Sequence, residues 1–503
     1  MRIAYRTRRT ITTLQGPCRL TLRVRRCRNP QCPHYQCVYR PEEEGRWALP
    51  HGEFGLDVIA LVGSLRYVSH RSMPEIHQEL RDRGVSIAER TVTHLLQRYE
   101  ELVALHLADQ CRLRERLQEQ GQIVLAIDGL QPNVGHEVLW VLRDCLSGEV
   151  LLARSLLSAC EAELTNLLRE VQQSVDVPIR GVISDGQHSI RNAVQTALPD
   201  VPHQLCHFHY LREAAKPVYE ADRHAKKELK KHLRGVRPIE RAVQSRADAE
   251  AEAIRGYCLA VRSALTDDGK PPLEAPGLKL RARISAVAAS LTRVSKKGGL
   301  PRELERMRAF LTKGLTETDP LWADVEQGYA WVHRAARLLS NDQKQEASEV
   351  RQAYEDLLAE MEQAPASSES LAGMLSTFRK VTISYWPGLF HCYDVADLPR
   401  TNNELEQYFG SARYHERRAT GQKQMSPAVV VRGSVRIVAS VASRLYPFAG
   451  PELCPPDLLR WRALRNELNQ RQEARRLQHR FRRSPESYLT ALEEKLSKER
   501  LPP

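Results

Sequence analysis

A chain of 503 residues, 42% hydrophobic and 27% charged, has room for several domains of ~100–200 residues each and is not disordered as a whole. Lys and Arg number 75 against 62 Asp and Glu, and the resulting +13 favours a polyanionic partner without specifying one. Mean hydropathy is −0.47, and no apolar run approaches the ~20 residues of a membrane helix, which argues against an integral membrane protein.

The first residues, MRIAYRTRRTITTLQG, are Arg-rich and free of acids, as an organelle presequence would be. They lack its Ser-rich helical pattern, however, and no apolar signal-peptide core is present. Residues 1–45 read as zinc-ribbon-like, with alternation in Leu20-Thr21-Leu22-Arg23-Val24 followed by a cysteine-bearing knuckle. Four of the eleven cysteines, Cys18, Cys27, Cys32 and Cys37, crowd into this segment, with His34 as a substitute ligand. Without a secretion signal, that pattern predicts Zn²⁺ in a reducing compartment and not a disulfide framework. The bland alternative is four free thiols on a small sheet. A segment this short would gain stability from a metal.

Residues 46–118 hold three amphipathic stretches, at 56–67, 73–83 and 88–102. Gly84 sits where a helix would stop and Ser86 where the next would be capped. A short helix, a Gly turn and a longer helix carrying Arg90, Thr91, Thr93, His94 and Arg98 predict a helix-turn-helix that binds DNA. An ordinary helical linker bundle is the alternative.

From Ile123 the period changes, and residues 119–215 read as an α/β layer. Buried strands are expected over 123–127, ending in Asp128, and over 179–183, ending in Asp185-Gly186. A hairpin is expected at 138–142 and 150–153, helices at 161–175 and 189–198, and a short strand at 203–206. Residues 216–395 are dominated by long charged helices, among them 223–234, 240–265 and 302–312, with a loop or hinge at 266–277. Residues 396–450 return to the core, and 451–503 form a basic helical tail with Arg471, Arg475, Arg476, Arg480, Arg482 and Arg483. Such a run is either a solvated helix face or a phosphate contact.

Two carboxylates delivered from strand ends of one sheet can share divalent cations, although Asp-Gly after a strand is also a common turn. Downstream of Asp185-Gly186 come Ala193, Leu198-Pro199, Cys206-His207-Phe208-His209 and, much later, Thr401-Asn402-Asn403-Glu404-Leu405-Glu406. This ordered set resembles the DDE transposases of the Mutator-like type and related bacterial insertion-sequence transposases, over residues 122–215 and 395–425. The resemblance implies an RNase H-like mixed-sheet core, interrupted by a helical insertion and preceded by the zinc ribbon and helix-turn-helix. It also implies that Asp128, Asp185 and Glu406 hold Mg²⁺ or Mn²⁺ and carry two-metal phosphoryl transfer. Glu406 is preferred to Glu404 because the family's acid lies three residues after the last Asn of its Thr-Asn element.

Helical spacing puts Arg413, seven residues beyond Glu406, on the same face, where it would hold a DNA phosphate. Cys206 and His209 match the family's Cys-x-x-His and would buttress the metal-bearing strands. Read by themselves, Cys206, His207 and His209 can also form half a zinc site. Trp386, before the Thr-Asn element, is either a core residue of the insertion or a platform for a flipped base.

The expected partners are double-stranded DNA, as transposon ends and as target, and further copies of the chain in a dimer or larger assembly, with no membrane. The expected location is the bacterial cytoplasm, in association with the nucleoid. Two other functions share these residues: a domesticated regulator that binds DNA without cutting it, and an RNase H-like nuclease without strand transfer.

Overall fold

The computed structural model describes residues 2–107, 110–131, 137–363, 368–421 and 427–500, apart from the side chains of some helical residues. The chain divides into two compact units. Unit 1 comprises Met1–Val182, His188–Val201 and Asn403–Pro503, and unit 2 comprises Ile183–Gln187 and Pro202–Asn402. No described helix is long and apolar enough to cross a membrane.

Unit 1 opens with a three-stranded antiparallel sheet of β1 (Arg2–Thr13), β2 (Gly16–Arg26) and β3 (Val38–Tyr39). Alternation places Ile11, Leu22 and Val24 inside and Arg6, Arg8, Arg19, Arg23 and Arg25 outside, while Arg9 donates to the Leu49 and Gly52 carbonyls and pairs with Glu44. Next come α1 (Leu56–Tyr67), α2 (Met73–Asp82) and α3 (Glu89–Leu107). Ser72 and Glu75 form a capping box at the start of α2. Gly84, at φ +81°, turns the chain beyond its end. Because α3 begins at Glu89, Ser86 lies in the connection and not at the cap.

Helices α1 and α3 approach so closely that a Cβ on Gly63 would stand 2.3 Å from the Tyr99 ring. Gly63→Ala should therefore destabilise unit 1 by about 1–3 kcal/mol, as overpacking does. Thermal unfolding of the full chain reads this, and an unchanged midpoint would refute it.

After α4 (Gln110–Gln120) come β4 (Ile123–Leu130), β5 (Val138–Asp144), β6 (Val150–Leu156), α5 (Glu161–Ser174), β7 (Ile179–Ser184), α6 (His188–Ala197) and β8 (His203–Leu205). The strands form a mixed sheet of order β6-β5-β4-β7-β8, with β4–β5 and β5–β6 antiparallel. Residues 123–127 are wholly buried, so that run carries no polar alternation. Leu164, Leu168 and Val171 of α5 join Ile190 and Val194 of α6 in the core with this sheet.

Within unit 2, β8 is followed by α7 (His207–Ala214), α8 (Lys216–His232), α9 (Val236–Ala242), α10 (Ala249–Leu265), α11 (Pro276–Gly298) and α12 (Arg302–Thr318). Then come α13 (Trp322–Ser340), α14 (Ala347–Gln363), α15 (Glu369–Tyr385) and α16 (His391–Asp394). One core gathers around Tyr210, Val332, Tyr354 and Phe390, and another around Leu229, Ile254, Ile284 and Trp322. The single helix expected over 240–265 is two, since Asp248 caps α10 by accepting the Ala251 amide at 2.9 Å.

The chain re-enters unit 1 at α17 (Asn403–Thr420) and continues through α18 (Pro427–Leu445), α19 (Leu458–Arg483) and α20 (Pro485–Arg500). Helix α17 packs against β4, and α18 against α3.

Candidate active site

Asp128 is the sixth residue of β4, opposite Val141 of β5. The strand therefore runs two residues past it instead of ending there. The residue is half-buried, and the Gly129 amide donates to its Oδ1 at 2.7 Å. A Cβ on Gly129 would sit 3.1 Å from the buried Trp140 ring, so glycine lets Trp140 close over the strand beside the acid. Helix α17 lays Leu405 and Phe409 inward in unit 1, while Arg413, Tyr414, Arg417 and Arg418 are exposed. Glu406 is the fourth residue of α17, and the helix that bears it packs on the strand that bears Asp128. The side chains of Glu404 and Glu406 lie outside the described residues.

In unit 2, Asp185 follows β7 directly and is half-buried. Gly186 takes φ +86°, a conformation that glycine adopts without strain, and turns the chain away. The Gln187 amide donates to Asp185 Oδ1 at 2.9 Å, an Asx turn that orients the carboxylate. The Tyr385 hydroxyl donates to the Asp185 carbonyl at 3.1 Å.

Cys206 is fully buried in the same unit, and its amide donates to the carbonyl of Ser184, the residue before Asp185, at 2.8 Å. Its Sγ accepts the Asn402 amide at 3.3 Å. The His207 amide donates to the Arg400 carbonyl at 3.0 Å. This one corner therefore ties the strand of the second Asp to the Thr-Asn element.

The His207 imidazole donates to the Leu389 carbonyl at 2.7 Å. Burial lowers its pKa to about 4 against the opposing effect of that bond, so the ring is neutral near pH 7. Cys206 and His207 are thus both engaged in backbone contacts at this corner. His209, half-buried, stands edge-on to Phe208. Trp386 is a core residue, packed edge-to-face on Phe390 at 4.9 Å and against Tyr354.

Arg90, Thr93 and His94 are exposed along the first turns of α3, and Thr91 is half-buried. Arg98 departs from the expected DNA-facing set. Its Nη1 donates to Glu101 Oε2 at 2.5 Å, and only 19% of its side chain is exposed. It belongs to a buried network in which Glu100 and Glu101 face Arg432 and Arg436 of α18. That network was not anticipated, although Glu100 stands four residues beyond Leu96 in the buried register of α3. Among the tail arginines, Arg471 binds the Val430 and Val431 carbonyls and the Glu137 carboxylate, while Arg476, Arg480, Arg482 and Arg483 are exposed.

The cysteine set also needs revision. Cys18 pairs with Ile11 near the hairpin turn, whereas Cys27 follows the far end of β2. Nine residues of strand at ~3.3 Å each place the two about 30 Å apart, so Cys18 cannot join Cys27 at one ion. Cys27, Cys32 and Cys37 do share a knuckle: the Cys27 amide donates to the Cys37 carbonyl at 3.3 Å, and Cys32 heads the turn to Tyr35. Burial, and then Cys37, Cys32 and Cys27, raise the Tyr39 phenol above its ordinary range. His34 stands edge-on to that ring at 6.3 Å. Among the described residues, no three His, Cys, Asp or Glu side chains are gathered at metal-holding geometry.

No protein-family model and no curated protein matches the chain.

Proposed function

We propose that this chain is a DDE-type DNA transposase with an RNase H-like core, which binds transposon ends and catalyses metal-dependent cleavage and strand transfer. The reading rests on the ordered motif set and, above all, on Cys206. The first residue of the Cys-x-x-His hydrogen-bonds both the backbone that delivers Asp185 and the backbone of the Thr-Asn element. Packing of α17 on β4 adds a second link of the same kind, between the helix of the last acid and the strand of the first.

Asp128, Asp185 and Glu406 supply the hard oxygen donors that Mg²⁺ or Mn²⁺ takes. When bound, such ions activate a water or a DNA 3′-hydroxyl and stabilise the leaving oxygen of an in-line displacement. The chain's own part is positioning. The Asx turn sets the Asp185 carboxylate, Cys206 locks its strand, and exposed Arg90, Arg413 and their neighbours meet phosphates.

Cys206→Val keeps the bulk and removes the sulfur acceptor. It should lower metal-dependent cleavage by about 10–100-fold, as losing a group that orients metal ligands does, with duplex binding retained. Loss of binding and activity together would instead mark a folding defect.

Cys27, Cys32 and Cys37 with His34 offer the thiolate and imidazole donors of a structural Zn²⁺ site. Purified protein should carry zinc that is lost in Cys32→Ser and kept in Cys18→Ser. Equal zinc in both variants would remove the proposed site.

The deciding experiment combines protein, Mg²⁺, labelled DNA ends from the sequence flanking its own gene, and a supercoiled target. Joined product supports the transposase. Binding without cutting would replace it with the regulator, and cutting without joining with the nuclease.

A further inference from the structure

Helix α8 of unit 2 separates its residues cleanly. Val218, Asp222, Ala225 and Leu229 face inward, and Asp222 is the one acid among them, accepting the Gly277 and Leu278 amides at 2.7 and 2.9 Å. The other flank of the helix, with Arg234 just past the helix end, lines a cleft of about 610 Å³ bearing Arg223, Lys226, Lys227, Lys230 and Lys231. The acids of the cleft are Glu220 and Asp268, and the Asp268 side chain is 91% exposed. Two of the cations are engaged: Lys226 donates to the Asp267 carbonyl at 2.5 Å, and Lys231 pairs with Glu228 at 2.6 Å. Arg223, Lys227 and Arg234 are exposed. Burial, and then the neighbouring Lys226 ammonium, lower the pKa of Lys230 against the opposing effect of Asp268 and Asp267.

We propose that this face of α8 is a second DNA contact, a track for the phosphate backbone of a duplex outside the helix-turn-helix, α17 and the tail. The proposal rests on the transposase reading for the identity of the polyanion. Geometry favours a backbone. Arg223, Lys227 and Lys230 recur at four- and three-residue steps along one side of the helix. From Arg223 to Lys230 the helix rises about 10 Å at ~1.5 Å per residue. Four successive phosphates of one strand, three steps of ~3.4 Å along the axis, span that length.

Composition separates duplex from single strand. Proteins that hold single strands stack bases on aromatic side chains. Among the described residues, the cleft wall carries His224 and no Phe, Tyr or Trp.

The test uses the full chain. Affinity for a random-sequence duplex is measured by fluorescence anisotropy across a salt series, for wild type, for Arg223→Gln/Lys227→Gln and for Lys296→Gln/Lys297→Gln. The last pair removes the same charge at the far end of α11, where both residues are exposed. Each lost phosphate contact should lower the slope of log affinity against log salt by ~0.9, so the cleft variant should lose about 1.8 and the control should match wild type. Equal slopes in the cleft variant and wild type would overturn the track. So would a loss of slope on single-stranded RNA with none on duplex DNA, which would assign the face to a different partner. Cleavage is read in the same samples. Mg²⁺-dependent cutting with an unchanged cleft slope removes the track alone. A reduced slope with no cutting by wild type keeps the track and removes the transposase.

Discussion

Asp128→Asn and Asp185→Asn should each reduce Mg²⁺-dependent cleavage of labelled DNA ends by on the order of 10³-fold or more. Charge stabilisation by a shared divalent cation amounts to several kcal/mol of transition-state energy, and each ~1.36 kcal/mol is tenfold in rate. An amide keeps the shape of the carboxylate and removes its charge. Duplex affinity should therefore stay close to wild type, because the exposed basic side chains are untouched. Both acids are half-buried and held by local backbone amides, so Asn should preserve the strand at 128 and the turn at 185. Asp144 is a useful contrast. It is fully buried and accepts the Val124 and Ser147 amides, the Ser147 hydroxyl and the Gln120 amide group. Asp144→Asn should cost stability before it costs chemistry. Cleavage by Asp185→Asn at more than a tenth of the wild-type rate would sink the assignment.

Arg432→Met should destabilise unit 1 by about 1–3 kcal/mol, the cost of taking one hydrogen-bonded cation away from two buried carboxylates that keep Arg436 and Arg98. Arg432 Nε donates to Glu100 at 2.8 Å, and its Nη atoms donate to Glu101 at 3.2 Å and to the Gln97 carbonyl at 2.7 Å. Both carboxylates are at most 1% exposed. Trp461 of α19 donates its indole N–H to Glu101, so the basic tail is anchored on the same pair. Helix α18 leaves helical geometry at Arg432 itself (φ −118°, ψ 16°).

The pH dependence of this network has a definite sign. Burial pushes the Glu100 carboxyl up, but Arg436 and Arg432 outweigh it and hold the group below the ordinary carboxylate range. A lowered folded value adds stability that is complete above the unfolded-chain value, about 4.3 for Glu, and is lost as pH falls through the folded one. The gap between wild type and Arg432→Met in urea unfolding should therefore be widest near neutral pH and narrow below about pH 4. A difference under about 1 kcal/mol at neutral pH would place the pair among interactions worth no more than a surface salt bridge.

Local physics was legible in the sequence wherever one face of an element had to be buried. An unbroken apolar run marked β4, two apolar runs around a turn-rich spacer marked the hairpin of β5 and β6, and Gly84 with the amphipathic stretches marked α1 to α3. The positions of Asp128 and Asp185 on the core strands followed from the same runs. Tertiary structure decided the matters that depend on meetings between distant residues. Cys18 left the cysteine set because a straight strand separates it from Cys27, which sequence proximity conceals. Arg98 left the DNA-facing set because Glu101 and helix α18 surround it, and α18 is far along the chain. Trp386 became core through Tyr354 and Phe390. Hydrophobic period determines which side of an element turns inward. The partner that waits there, and whether a charge is neutralised or left to solvent, depends on long-range packing.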